Sequence, residues 1–159
     1  MKFEQLYNQY YEMIYRFTFR MNGNSAVAKD ITQETFVKLY YHLDSNLRLD
    51  NPKAWLYRVA ANMSYNHSKR KKIYNRIIQG HETQNNPINN PENEIYDKED
   101  KQLLRIAIEK LPMRDRTILQ LYQDDLSYAE IAQVMGIKVS SVGKILSRAI
   151  QKCSNLIER

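Results

Sequence analysis

Cysteine is nearly missing from this sequence. Its one example in 159 residues, Cys153, cannot close an internal disulfide. Three histidines, His42, His67 and His81, share no ligand spacing, so the expectation is no structural zinc, no other metal and no cofactor. Only 4 glycines and 4 prolines interrupt stretches filled by Leu, Ile, Lys, Glu, Gln and Ala, which excludes a large sheet and favours helix. No window comes near the roughly 18 consecutive apolar residues of a membrane span, and Met1-Lys2-Phe3-Glu4 lacks the apolar core of a signal peptide. The chain therefore reads as a cytoplasmic protein without membrane contact of its own. Nucleophile, metal and phosphate-loop constellations are missing too. Asp30 and Glu34 stand four apart as paired catalytic carboxylates could, but nothing nearby supplies a pocket or a metal partner. An enzyme is not expected.

What is present is charge, unevenly placed. The net charge is +6, yet residues 1–52 carry six positive and six negative groups, and residues 53–82 carry seven and one. Residues 83–101 carry two and five, and residues 102–159 nine and six. A strongly basic segment beside an acidic one reads as a polyanion-binding element next to a connection that does not compete for the same polyanion.

Apolar periodicity divides the chain. Phe3, Leu6, Tyr7, Tyr10, Ile14, Phe17 and Met21 recur at three- and four-residue steps and predict a helix over 3–21. Asn22-Gly23-Asn24 forms a turn, with Ser25 as the expected cap of a helix over 26–43. That helix has two usable faces. Ala28, Ile31, Thr35, Phe36, Leu39 and Leu43 lie on one, and Asp30, Gln33, Glu34, Val37, Lys38 and Tyr41 on the other. A loop over 44–50 leads to Asn51-Pro52, a cap followed by proline at the first helical position. The third helix, 52–79, points Leu56, Val59, Ala60 and Met63 inward and Arg58, Asn62, Tyr65, Asn66, Lys69 and Arg70 outward. Residues 80–94 are polar, contain two prolines and lack an apolar period, so they read as a flexible linker between domains at 1–79 and 95–159. Fourteen of the seventeen aromatics precede residue 75, as two separately composed cores would require.

The second domain opens with Leu103, Leu104, Ala107, Ile108 and Leu111, broken at Pro112, and continues with Ile118, Leu119, Leu121 and Tyr122. Ser127-Tyr-Ala-Glu130 is a capping box, and Gly136 stands where that short helix must stop. A further helix follows over 139–156. Two helices joined so tightly make a helix-turn-helix, with Ile131, Ala132, Gly136, Ile137, Val142 and Ile145 at its packing positions. If it reads DNA, the outward residues of its second helix are Ser140, Ser141, Gly143, Lys144, Ser147 and Arg148, with Lys152 further along. The third helix of the first domain interleaves Trp55, Tyr57, Tyr65 and Tyr74 with Arg58, Lys69, Arg70, Lys71, Lys72 and Arg76. Unpaired bases can stack on such rings while the cations follow phosphates. Trp55 and Tyr57 equally suit a core or its rim.

Asp30-Ile-Thr-Gln-Glu-Thr-Phe36, then Ala54-Trp-Leu-Tyr-Arg-Val-Ala-Ala-Asn62, a basic run, a variable linker, Leu111-Pro and Ser127-Tyr-Ala-Glu-Ile-Ala132 together resemble the bacterial extracytoplasmic-function sigma factors. Several independent motifs occur in order, over about residues 3–72 and 103–156. The resemblance implies an all-α protein of two small helical domains, sigma regions two and four, that binds core RNA polymerase and directs it to promoter DNA. It implies that Asp30, Gln33 and Glu34, bordered by Val37 and Lys38, dock on the polymerase. It further implies that Asn46 in the 44–50 loop, with Arg58, Asn62, Tyr65, Asn66, Lys69 and Arg70, melts and reads the minus-ten element. Ser140, Ser141, Lys144, Ser147 and Arg148 would read the minus-thirty-five element. An anti-sigma factor is the further partner implied.

One stretch departs from the family pattern. Where many relatives carry Thr-Val-Lys-Ser-Arg-Leu and then Arg-Ala-Arg, this chain has Ser141-Val-Gly-Lys-Ile-Leu146 and Arg148-Ala-Ile150, so Gly143, Ile145 and Ile150 occupy commonly basic places. A two-domain regulator acting without polymerase, or an RNA-binding module, would also explain the charge. Neither explains an outward Asp30, Gln33 and Glu34.

Overall fold

The computed structural model describes residues 2–78 and 98–158. Among them are seven helices and no strand: α1 (Phe3–Asn22), α2 (Ser25–Asp44), α3 (Pro52–Ile78), α4 (Lys98–Lys110), α5 (Met113–Gln123), α6 (Tyr128–Met135) and α7 (Val139–Glu158). The chain divides into two compact units, α1 to α3 and α4 to α7. The expected linker at 80–94 lies outside the described residues. None of the described helices is long and apolar enough to cross a membrane.

In the first unit each helix packs on the other two. Leu6, Ile14, Phe17 and Met21 of α1 meet Ala28, Ile31, Phe36 and Leu39 of α2 and Ala54, Leu56 and Ala60 of α3, all buried. Each of the larger side chains contributes about 1.5–3 kcal/mol by leaving water. Tyr57 belongs to this core rather than to any stacking surface: it is fully buried, edge-on to Phe17 at 5.1 Å between ring centroids. Trp55 is half-buried at the rim, its ring 5.1 Å from that of His42. A polar seam crosses the core. The Thr18 and Thr32 hydroxyl oxygens are 3.0 Å apart, and Thr32 donates to the Ala28 carbonyl at 2.7 Å. Asn22 Nδ2 donates to the Thr18 carbonyl at 2.8 Å and to Ser64 Oγ at 3.0 Å, tying the end of α1 to α3.

Gly23 closes α1 in the left-handed region, φ +67°, its N–H donating to the Phe19 carbonyl, a conformation that costs a residue with a Cβ more than it costs glycine. The cap of α2 is Asn24 and not the expected Ser25. Asn24 has the extended backbone of a cap and accepts from the Val27 N–H at 3.1 Å, whereas Ser25 is already helical. Asn51 Oδ1 accepts from the Ala54 N–H at 3.1 Å, so α3 starts on the expected cap and proline.

In the second unit α4, α5 and α6 all pack on α7. Ala107, Leu111 and Cys153 form one buried cluster, joined by Ile108, Leu119 and Leu156. Leu103 and Leu104, expected as apolar anchors of α4, are half exposed. The end of α4 is held by another device. The Arg116 guanidinium donates to the carbonyls of Ile108, Glu109 and Leu111, the region where a helix end runs short of donors, with Ile108 also accepting from the Leu111 N–H. Burial lowers the Arg116 pKa from its ordinary value. The helix-turn-helix has both halves of its capping box, Ser127 Oγ with the Glu130 N–H and Glu130 with the Ser127 N–H, each at 3.1 Å. Gly136 ends α6 at φ +66°.

Candidate polymerase and DNA interfaces

The two faces of α2 separate cleanly. Ala28, Ile31, Thr32, Thr35, Phe36 and Leu39 are buried, while Asp30, Gln33, Glu34, Val37 and Lys38 are all exposed. Asp30 and Glu34 have no ion-pair partner among the described residues. Val37, Tyr40 and Tyr41 extend the surface with exposed apolar groups. Two unpaired carboxylates beside exposed apolar side chains can dock a protein surface that brings cations and apolar groups.

α2 runs through Asp44, one residue further than expected, so the loop begins at Ser45 and meets the outer side of α3 in sequence at Asn51. Asn46 takes a positive φ of 59°, which asparagine tolerates better than most residues. Ser45 Oγ donates to the His42 carbonyl, and Arg48 pairs with Asp50 on the loop surface. Arg58, Asn62, Tyr65, Asn66, Lys69 and Arg70 are all exposed on α3. Arg58, Asn62, Tyr65 and Lys69 fall on one strip at three- and four-residue steps, with Asn66 beside it, whereas Arg70 is rotated toward the α1–α2 turn and lines a groove there. Arg58, Lys69, Arg70, Lys71, Lys72 and Arg76 have no ion-pair partner among the described residues. Such a run of like charge repels itself until an anion neutralises it.

On α7, Ser140, Lys144, Ser147 and Arg148 are exposed and Ser141 is half-buried. Lys152 does not extend this cationic strip as a free charge, because its Nζ sits 2.9 Å from Oδ2 of the buried Asp115. Ile150 faces elsewhere too, lining an apolar groove of about 410 Å3 with Leu104, Ile108, Leu119, Cys153 and Ile157. Burial raises the Cys153 thiol pKa, which suits a packing residue and not a nucleophile. Sequence reasoning missed Tyr128 here. It is half exposed on α6, and its ring lies against Gly143 of α7.

Three bundled helices with an outward acidic face and an uncompensated basic helix, followed by a unit built on a helix-turn-helix, define a DNA-binding transcription protein of two helical modules. Residues 6–73 match the family model for sigma-70 region 2 and residues 101–153 that for sigma-70, region 4. The chain is 32% identical to the ECF RNA polymerase sigma factor SigW of Bacillus subtilis, the match covering 88% of this chain and 80% of that protein. It is 30% identical to SigM of the same organism, covering 100% and 97%. In fold it is similar to the sigma factor RpoE from Bartonella quintana, solved in complex with the anti-sigma factor NepR, at a TM-score of 0.79 and 21% identity over 98% of this chain and 96% of that one. The chain belongs to the ECF sigma factors of the sigma-70 family.

Proposed function

We propose that this protein is an alternative promoter-recognition subunit of RNA polymerase: it binds core polymerase, recognises minus-thirty-five and minus-ten elements and separates the strands of the latter. The observation that carries the reading is the pair of matches to sigma-70 regions 2 and 4, in that order, over most of the chain. Asp30, Gln33, Glu34, Val37 and Lys38 dock on the polymerase. Asn46, Arg58, Asn62, Tyr65, Asn66, Lys69 and Arg70 hold the opened minus-ten strand, and Ser140, Ser141, Lys144, Ser147 and Arg148 read the upstream element. The exposure of all of these but the half-buried Ser141, and the unpaired charges on α2 and α3, support these assignments. Unstacking a base costs a few kcal/mol, so a surface that accepts only the unpaired form pulls the equilibrium toward the bubble.

The protein is non-catalytic in this reading, since the polymerase supplies the chemistry. It works in the cytoplasm, in two domains at 1–79 and 95–159 tethered by residues 80–94. An anti-sigma factor that covers the polymerase-binding surfaces is its regulator, a partner of the kind present in the solved Bartonella complex. Run-off transcription with core polymerase over a promoter library tests the function. Products that require this chain are expected, and a library transcribed equally with and without it would refute the proposal.

A further inference from the structure

α3 outruns the bundle it belongs to. Its last buried side chain is Ser64, and the helix continues to Ile78. Leu56, Ala60 and Ser64 share the side that faces the core. Continued at three- and four-residue steps, the same side carries His67, Lys71 and Tyr74. An imidazole, an ammonium and a phenol stand where the period calls for core. They lie by the α1–α2 turn and, with Asn22, Asn24 and Arg70, line an open groove of about 470 Å3.

The groove is furnished for an anion. Among the described residues no carboxylate lines it and neither Arg70 nor Lys71 has an ion-pair partner. Asn22 is committed to Thr18 and Ser64, and the Asn24 carbonyl oxygen to Val27. The Asn24 amide N–H group, the Tyr74 hydroxyl and the cations remain as donors. His67 has a lowered pKa, from burial first and then from Lys71 and Arg70. A negative ligand would relieve that crowding.

Lys71 and Asn62 are nine residues apart, which at about 100° per residue puts them on opposite sides of a helix roughly 10 Å across. A single nucleic-acid backbone lying along Asn62 and Lys69 cannot also enter the groove. Paired DNA offers a second backbone. We infer that the groove of Asn24, His67, Lys71 and Tyr74 is a phosphate site for paired DNA, separate from the strip of Asn62 and Lys69 that holds the unpaired strand, with Arg70 on the border between the two. This rests on the reading of α3 as a DNA-binding element, and it would let one helix grip both sides of a strand-separation fork.

The test uses the full chain, with fluorescence anisotropy on a single strand and on a duplex of the same sequence at two salt concentrations. Lys71→Ala is expected to weaken duplex binding about five-fold at low salt and to lower its salt slope by about one, with single-strand binding unchanged. His67→Ala should weaken duplex binding in the same selective way, and Lys69→Ala should act chiefly on the single strand. Equal losses on both probes in Lys71→Ala, or no loss on either, would overturn the assignment. A wild-type holoenzyme silent on every promoter would refute promoter recognition without touching this difference between duplex and strand.

Discussion

Gly143 and Tyr128 meet across the helix-turn-helix: a Cβ built on Gly143 would lie 3.6 Å from Cε2 of the Tyr128 ring. That is ordinary van der Waals contact, so a methyl group fits while a long side chain must displace the ring. Gly143→Ala should therefore raise stability by about 0.5–1 kcal/mol, the helix propensity that glycine forfeits. Urea denaturation checks this. A lower midpoint would mean that the ring already fills the space a methyl needs.

Charge reversal on the outer face of α2 should separate binding from folding. With Asp30→Arg and Glu34→Arg combined, association with core polymerase is expected to drop more than about ten-fold, because like charges are then juxtaposed. Both positions are exposed, so circular dichroism should stay unchanged. Undiminished co-purification with core enzyme would remove α2 from the polymerase interface.

The three cations of α7 should behave differently. Lys144→Ala and Arg148→Ala are expected to weaken holoenzyme binding to a matched upstream element. Where Arg148 bonds to a base edge, its truncation costs about 1–3 kcal/mol against the preferred base only. Lys152→Ala should leave that binding intact and instead lower stability by about 1 kcal/mol, since it strips the partner from a mostly buried carboxylate while Lys152 itself stays half in water. Titrations with matched and scrambled duplexes, alongside thermal melts, distinguish the two effects.

His67 should titrate below its ordinary value of 6.5 in the free protein, because burial and then the neighbouring Lys71 and Arg70 disfavour its charged form. Lys71→Gln removes one of those positive neighbours, so the imidazole pKa should rise. The folded state holds this proton less tightly than the unfolded chain does. The group's contribution to stability is thus intact above 6.5 and is lost as pH falls from there through the lower folded pKa. Histidine NMR titration reads the shift directly. An unchanged value in Lys71→Gln would show that the two side chains do not sense each other.

Removing the Asn22 amide should loosen the join between α1 and α3. Asn22→Ala leaves Ser64 Oγ and the Thr18 carbonyl without this donor, which is expected to cost about 1–2 kcal/mol. Thermal unfolding of the variant, with Asn22→Asp as a shape-matched control, reports the loss.

Local chemistry was the legible part of this protein. Asn51 before Pro52, Ser127 three residues before Glu130 and Gly136 after α6 are signals contained within a few residues, and all three place helix ends in the structure. The two faces of α2 were equally readable, because the alternation of Ile31 and Phe36 with Asp30 and Glu34 leaves only one orientation in which the core stays apolar. What escaped depends on distance along the chain. Asp115 lies 37 residues from Lys152, and no periodicity announces that one neutralises the other. Tyr128 and Gly143 belong to different helices, so they touch only once the turn is folded. Asn24 and Ser25 are both competent caps. The choice between them followed from where Gly23 lets α1 end, a backbone matter that composition does not encode.

The guanidinium collar that Arg116 places around the last carbonyls of α4 bears on how the second unit comes apart. Leu103, Leu104 and Ile106 stay partly in solvent, so α4 is fastened mainly at its C-terminal end, by the collar and by Ala107, Ile108 and Leu111. Opening this helix would expose little more than one row of side chains. Its amides should exchange with deuterium through a low-energy local opening, well ahead of those at the centre of α7, where Val142, Leu146 and Ala149 release their protons only when the whole unit unfolds.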